Sequence, residues 1–233
     1  MTTTRAIEVD TPQGPGRWLV EGSRRPGAPR ALLLLGHGAG GATDSIDLLA
    51  LAGLLPDHGV SVARFQQPWR LAGRKVATRP PTLDEAWLAA VPALQQAPGL
   101  GLEGVPLVSG GHSAGARVAC RTAALTSSEM VLALSFPLHP PGKPDTTRLD
   151  ELLTPTVPVL VLQGERDPFG SATEVRAAVA GAGHETRVRV VEVTGAAHAL
   201  SVPARVRSAK EHRAWLVATV LDGLGWSDNL GGE

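Results

Sequence analysis

The sequence predicts an α/β domain, a mostly parallel sheet with helices on both faces. Three observations carry this. Short apolar runs alternate with helical stretches along the whole chain, the pattern of strands joined by crossover helices. The inner runs, such as "RALLLLG" at 30–36, are continuously apolar, as strands buried on both faces must be. The length, 233 residues, lets one core bury about 70–75% of the unfolded surface. The chain is therefore read as one domain, 1–233, with an N-terminal hairpin segment (1–29) and a small lid-like irregular insertion (137–157) but no large cap.

Each element follows from local sequence. Residues 5–10 and 16–21 read as a hairpin around "TPQGP". After the 30–36 strand, "SIDLLALAGLLPDHG" is an amphipathic helix ending near Gly59, and 60–65 is a second inner strand. Residues 82–97 form a helix, with Thr82 as the expected cap and Glu85 three positions on. Pro92 inside it should kink or shorten it. Strands are expected at 106–111, 130–137, 158–164 and 186–193, with helices at 114–125, 171–183 and 203–225.

Composition excludes several classes of partner. Formal net charge is zero, so nucleic acid and anionic membranes are not expected partners. The single cysteine, Cys120, rules out an intrachain disulfide and reads as a buried inert thiol. No apolar run reaches transmembrane length and no secretory signal is visible, which makes a cytoplasmic location the expectation. The histidines are dispersed and "GHGAGG" lacks the Lys-Ser/Thr ending of a phosphate loop, so no metal and no cofactor are expected. The oligomeric state is left open.

In a parallel sheet the chemistry sits beyond the carboxyl ends of the strands. There, Gly111-His112-Ser113-Ala114-Gly115 fits the nucleophile elbow, G-x-S-x-G, between an apolar strand and an alanine-rich helix. The small residues around Ser113 suit a strand-to-helix turn too tight for bulky neighbours. A serine hydroxyl needs a base, and the base needs an orienting acid. Asp167 follows one late strand and His198 follows the last, which gives the order Ser, Asp, His. Asp167 before Pro168 also fits an Asx-type turn. Among rivals, Glu165 is near Asp167, whereas His184 and His212 lie off the expected edge. Oxyanion donors are expected from the N–H of Ala114 and of Ala39, with Gly40 as second choice. His37 is read as a brace for that loop or a substrate contact.

With these residues in place the chain resembles the α/β-hydrolases. More narrowly it is similar to the small bacterial dienelactone-hydrolase-like proteins of the KANL/Tex family. The stretches that carry this are "LLLLGHGAGG", "VARFQQPW", "GRKVATRPP", "GGHSAGARVA", "SFPLHPPGKPD" and "LQGERDPFG". The resemblance covers about residues 30–222. It implies the α/β-hydrolase fold, a triad of Ser113, Asp167 and His198, and hydrolysis of a small ester, lactone or thioester through an acyl-enzyme. The alternative is a catalytically silent fold used for binding or assembly. Dienelactone hydrolases take acidic lactones, so an anionic substrate group is a further expectation. Lys75 or Arg79 would clamp it, with His112, Trp69, Phe136 and His139 as other candidate pocket residues.

Overall fold

The computed structural model describes residues 4–40 and 43–226, so residues 1–3 of the hairpin segment lie outside it. One eight-stranded sheet organises these residues. Strands β1 (Arg5–Thr11) and β2 (Gly14–Glu21) form the expected hairpin, with a turn tighter than the five residues read from sequence. Strand β3 (Ala31–Gly36) leads to α1 (Ile46–Leu54), which tightens into a 3₁₀ turn over Leu55–His58. Gly59 ends that turn at φ 81°, a left-handed conformation that suits glycine. Strand β4 (Val60–Gln66) is followed by a short helix α2 (Pro68–Leu71), which the sequence reading lacked. Next come α3 (Pro80–Gln95), β5 (Leu107–His112), α4 (Ala114–Thr122) and β6 (Met130–Leu134). The 137–157 insertion holds a second unexpected short helix, α5 (Leu149–Leu153). The chain then forms β7 (Val159–Gly164), α6 (Ala172–Gly181), β8 (Val188–Val193) and α7 (Ala209–Gly223).

The strand order is β1-β2-β4-β3-β5-β6-β7-β8. The first two strands pair antiparallel, as do β2 and β4, and all other neighbours run parallel. Period-two alternation splits β3 between two cores. Leu33 and Leu35 pack with Leu48 and Leu51 of α1 and Leu216 and Val220 of α7. Leu32 and Leu34 face the other way, toward Trp18, Phe65 and Trp87. A third cluster continues that second layer from Ala116 and Ala119 of α4 to Val175 and Val179 of α6. Among the described residues, no helix is long and apolar enough to cross a membrane.

Two helix starts need correction. Helix α3 starts at Pro80, not Thr82, because proline suits a first helical position whose N–H has no partner anyway. The Thr82 hydroxyl instead bonds Thr78 Oγ1 (2.7 Å) and Arg79 O (2.8 Å), and Glu85 accepts from Gln13 rather than closing a capping box. Pro92 lies on the exposed side three residues before the helix ends at Gln95, so the helix stops two residues short of the expected 97. Helix α7 starts at Ala209, six residues later than read. Ser208 and Glu211 form a capping box there, with Ser208 N–H donating to Glu211 at 2.9 Å. A capping box also starts α6, at Ser171 and Glu174.

Candidate active site

Ser113 occupies the turn between β5 and α4 with φ 54° and ψ −107°, a strained conformation for a residue with a side chain. Its backbone N–H is held by Leu134 O on β6 at 2.9 Å. The turn is possible because backbone meets backbone. A Cβ on Gly115 would lie 2.2 Å from Gly36 O, and one on Gly111 would lie 2.5 Å from the same oxygen. The small residues around the serine thus let α4 seat directly on the end of β3.

Two other strand ends complete a continuous hydrogen-bond chain. His198, after β8, places Nε2 2.9 Å from Ser113 Oγ. Its Nδ1 is 2.8 Å from Asp167 Oδ2, after β7. Asp167 is buried and does both things its sequence context allows. Oδ1 accepts the Phe169 N–H at 2.9 Å, an Asx-type turn, while Oδ2 meets His198 and also accepts from Gln163 Nε2 at 3.1 Å. Gln163 in turn donates to Gly170 O at 2.6 Å, so the acid is fixed from two sides. The Phe169 ring meets the His198 ring edge-on, 4.6 Å between centroids.

The rival residues have structural partners. His212 Nε2 contacts Leu200 O at 2.6 Å and so pins the loop that carries His198. His184 Nδ1 pairs with Arg187. Glu165 accepts the Gly195 N–H at 2.6 Å.

A cavity of about 440 Å³ opens over Ser113. Ala114, Ala39 and Gly40 line it together with Ser113. Ala114 begins α4, where the N–H has no intrahelical acceptor. The 37–40 loop lies close by, since a Cβ on Gly38 would be 3.6 Å from Ser113 Cβ. His37 braces that loop. Its Nε2 accepts the Gln67 N–H at 3.2 Å and its Nδ1 donates to Gly38 O at 2.8 Å. Burial holds His37 below the usual histidine value, the Gly38 bond opposing and Arg70 adding to the effect. That is consistent with a neutral ring with one donor and one acceptor nitrogen.

His112 lines the cavity, as expected, but through a partner the sequence reading missed. Its Nδ1 lies 2.7 Å from Oδ2 of fully buried Asp47 on α1. Burial alone would lower the His112 pKa and raise that of Asp47. Their mutual attraction and hydrogen bond reverse both, so His112 is raised and Asp47 lowered. Asp47 sits inside an amphipathic stretch 65 residues before its partner, and only the odd placement of an acid on a buried helical face marked it.

The remaining pocket candidates fall elsewhere. Phe136 is fully buried in the third core cluster. Trp69 is buried in the second, its ring edge-on to His37. His139 contacts Thr146 O within the insertion, at 2.9 Å. Lys75 and Arg79 are exposed on the connection into α3 and do not line the cavity. The cations that do are Arg117 of α4 and Arg148 of the insertion, with Pro137, Pro141 and Phe169 as apolar wall. Both arginines were unremarkable in sequence, because the fold of the insertion back over α4 is not encoded in any local pattern.

Comparison with known proteins bears on the fold. Residues 29–222 match the family described as alpha/beta hydrolase domain. Among solved structures, an alpha-beta serine hydrolase homologue from Coxiella burnetii superposes with a TM-score of 0.72 at 17% identity, covering 94% of this chain and 99% of that one. A serine hydrolase without lid from Xanthomonas campestris gives 0.69 at 19% identity, covering 99% and 98%. An esterase from Pyrobaculum calidifontis gives 0.68 at 16%, covering 97% and 86%. These likenesses establish the α/β-hydrolase fold. A search of curated proteins finds no match.

Proposed function

This chain belongs to the alpha/beta hydrolase domain family, and we propose that it is a serine hydrolase of small carboxylic esters, lactones or thioesters. The observation that carries this is the unbroken relay from Asp167 Oδ2 through His198 to Ser113 Oγ, at 2.8 and 2.9 Å, opening into a cavity. In this reading His198 Nε2 takes the Ser113 proton as Oγ attacks the carbonyl carbon. Asp167 holds the proton on Nδ1 and stabilises the imidazolium. The N–H groups of Ala114 and Ala39 receive the developing oxyanion, with Gly40 alongside. Collapse expels the alcohol or thiol, protonated by His198, and leaves an acyl-enzyme. Water, deprotonated by the same nitrogen, then releases the acid and restores Ser113. The sequence stretches shared with dienelactone-hydrolase-like proteins of the KANL/Tex family support the narrower placement.

Labelling with a fluorophosphonate tests the reading. The wild type should label, and Ser113→Ala and His198→Ala should not. On any ester the wild type turns over, either variant should lose about 10⁴- to 10⁶-fold in kcat. A folded wild type that takes no label would mean the fold serves binding or assembly instead.

A further inference from the structure

His198 stands on the loop that follows β8, and the two halves of that loop are held differently. Before His198 the loop is tied to the turn after β7. Arg166 N–H donates to Ala196 O at 2.9 Å, and Gly195 N–H donates to Glu165 Oε2 at 2.6 Å. Past His198 the chain turns on Leu200. This residue has φ 52°, a left-handed conformation that a bulky side chain keeps only when its surroundings hold it there. Its side chain is fully buried in the core cluster shared with Leu216 and Val220 of α7. Its N–H donates to Ala197 O at 3.1 Å, and its carbonyl meets His212 Nε2 at 2.6 Å.

The surroundings of the His212 ring fix which nitrogen carries the proton. Arg207 Nη1 lies 3.2 Å from His212 Nδ1, and a guanidinium donates but never accepts. Nδ1 is therefore the acceptor, and Nε2 bears the proton that the Leu200 carbonyl receives. Arg207 is itself held over the Trp215 ring, 4.2 Å from Cζ to the centroid, and that ring lies nearly parallel to His212. His212 is buried and does not line the cavity, so it does not reach a substrate held there. Helix α7 anchors it. Its N–H donates to Ser208 O at 2.8 Å, in the turn closed by the Ser208–Glu211 capping box. Loss of the Nε2 donor would leave a carbonyl unpaired two residues from His198, and a strained leucine with less to hold it.

We infer that His212 is a positioning residue of the catalytic machinery: its Nε2–H, through the Leu200 carbonyl, sets where His198 Nε2 stands against Ser113 Oγ. The inference rests on the hydrolase reading above. The relay is then braced from α7 as well as from the turn that carries Asp167.

Two polar substitutions separate the two nitrogens. His212→Gln places an amide N–H where Nε2 donates. His212→Asn is too short to reach Leu200 O but keeps an acceptor for Arg207. Turnover of p-nitrophenyl acetate, the rate of fluorophosphonate labelling and urea denaturation are measured for the wild type and both variants. His212→Asn should lose about 10- to 100-fold in kcat, with labelling slowed in parallel and KM within about twofold of the wild type. His212→Gln should stay within about threefold of the wild type in kcat. A purely structural histidine would lower stability and leave kcat of the folded protein alone. Long-range proton–nitrogen NMR correlation of the assigned wild-type imidazoles should show His212 protonated at Nε2. Wild-type kcat in folded His212→Asn overturns the inference, as does a loss confined to KM or an equal loss in the two variants. A wild-type His212 protonated at Nδ1 overturns it whether or not either variant folds. A wild type that takes no label overturns the hydrolase reading itself, and the inference with it.

Discussion

The residue next to the nucleophile is held by a buried ion pair, and that pair has a distinct pH signature. Asp47 has a lowered pKa, so its contribution is complete above about pH 4 and is lost as pH falls through the depressed value. His112 has a raised pKa, so its contribution is complete below about pH 6.5 and is lost as pH rises through the elevated value. Both are whole only between those limits. Asp47→Asn keeps an acceptor for the Leu48 N–H, which Asp47 Oδ1 now receives at 2.9 Å, but removes the charge. It should cost about 3 kcal/mol near pH 5.5. The deficit should narrow as pH climbs, because the wild type then loses its pair while the variant has none to lose. Urea denaturation from pH 5.5 to 9 measures this. A deficit that stays constant would mean Asp47 acts as a hydrogen-bond acceptor only.

At the scale of elements, the elbow depends on the contact between α4 and the end of β3. Gly115→Ala would drive a methyl to within 2.3 Å of Gly36 C as well as its oxygen, and neither backbone can retreat inside the sheet. We expect a loss of about 3 kcal/mol in urea denaturation and loss of fluorophosphonate labelling, since Ser113 is carried on the displaced turn. Labelling at the wild-type rate in a stable Gly115→Ala protein would contradict this account. This element was readable in sequence, because a steric demand writes itself as the small residues Gly110, Gly111, Ala114, Gly115 and Ala116 around the serine. The strand ends carrying Asp167 and His198 were readable for a related reason: buried parallel strands are continuous apolar runs, and the residue after each run is on the chemical edge. Helix starts were less legible. Pro203 and Thr82 look like start signals, yet α7 begins at Ala209 behind its Ser208 cap and α3 at Pro80, because several local signals compete and tertiary packing chooses. Arg148 was not legible at all, and Asp47 only as an acid oddly placed on a buried helical face. Each acquires its role from a partner or cavity wall far along the chain, which no periodicity records.

At the scale of the molecule, the insertion works as a clamp rather than a loose loop. Its Glu151 ties it to α4, and Arg121 passes the tie on to Asp84 of α3. His139 N–H donates to Phe169 O at 2.8 Å, which joins the same segment to the turn that carries Asp167. Burial alone would raise the Glu151 pKa, but the hydrogen bonds and charges of Arg117 and Arg121 hold it below the usual carboxylate value. A depressed carboxylate stabilises above about pH 4.5, and that stability is lost as pH falls through its folded value. Glu151→Gln should therefore cost about 1–2 kcal/mol at pH 7, with the gap narrowing as pH falls below about 4.5 through the depressed folded value.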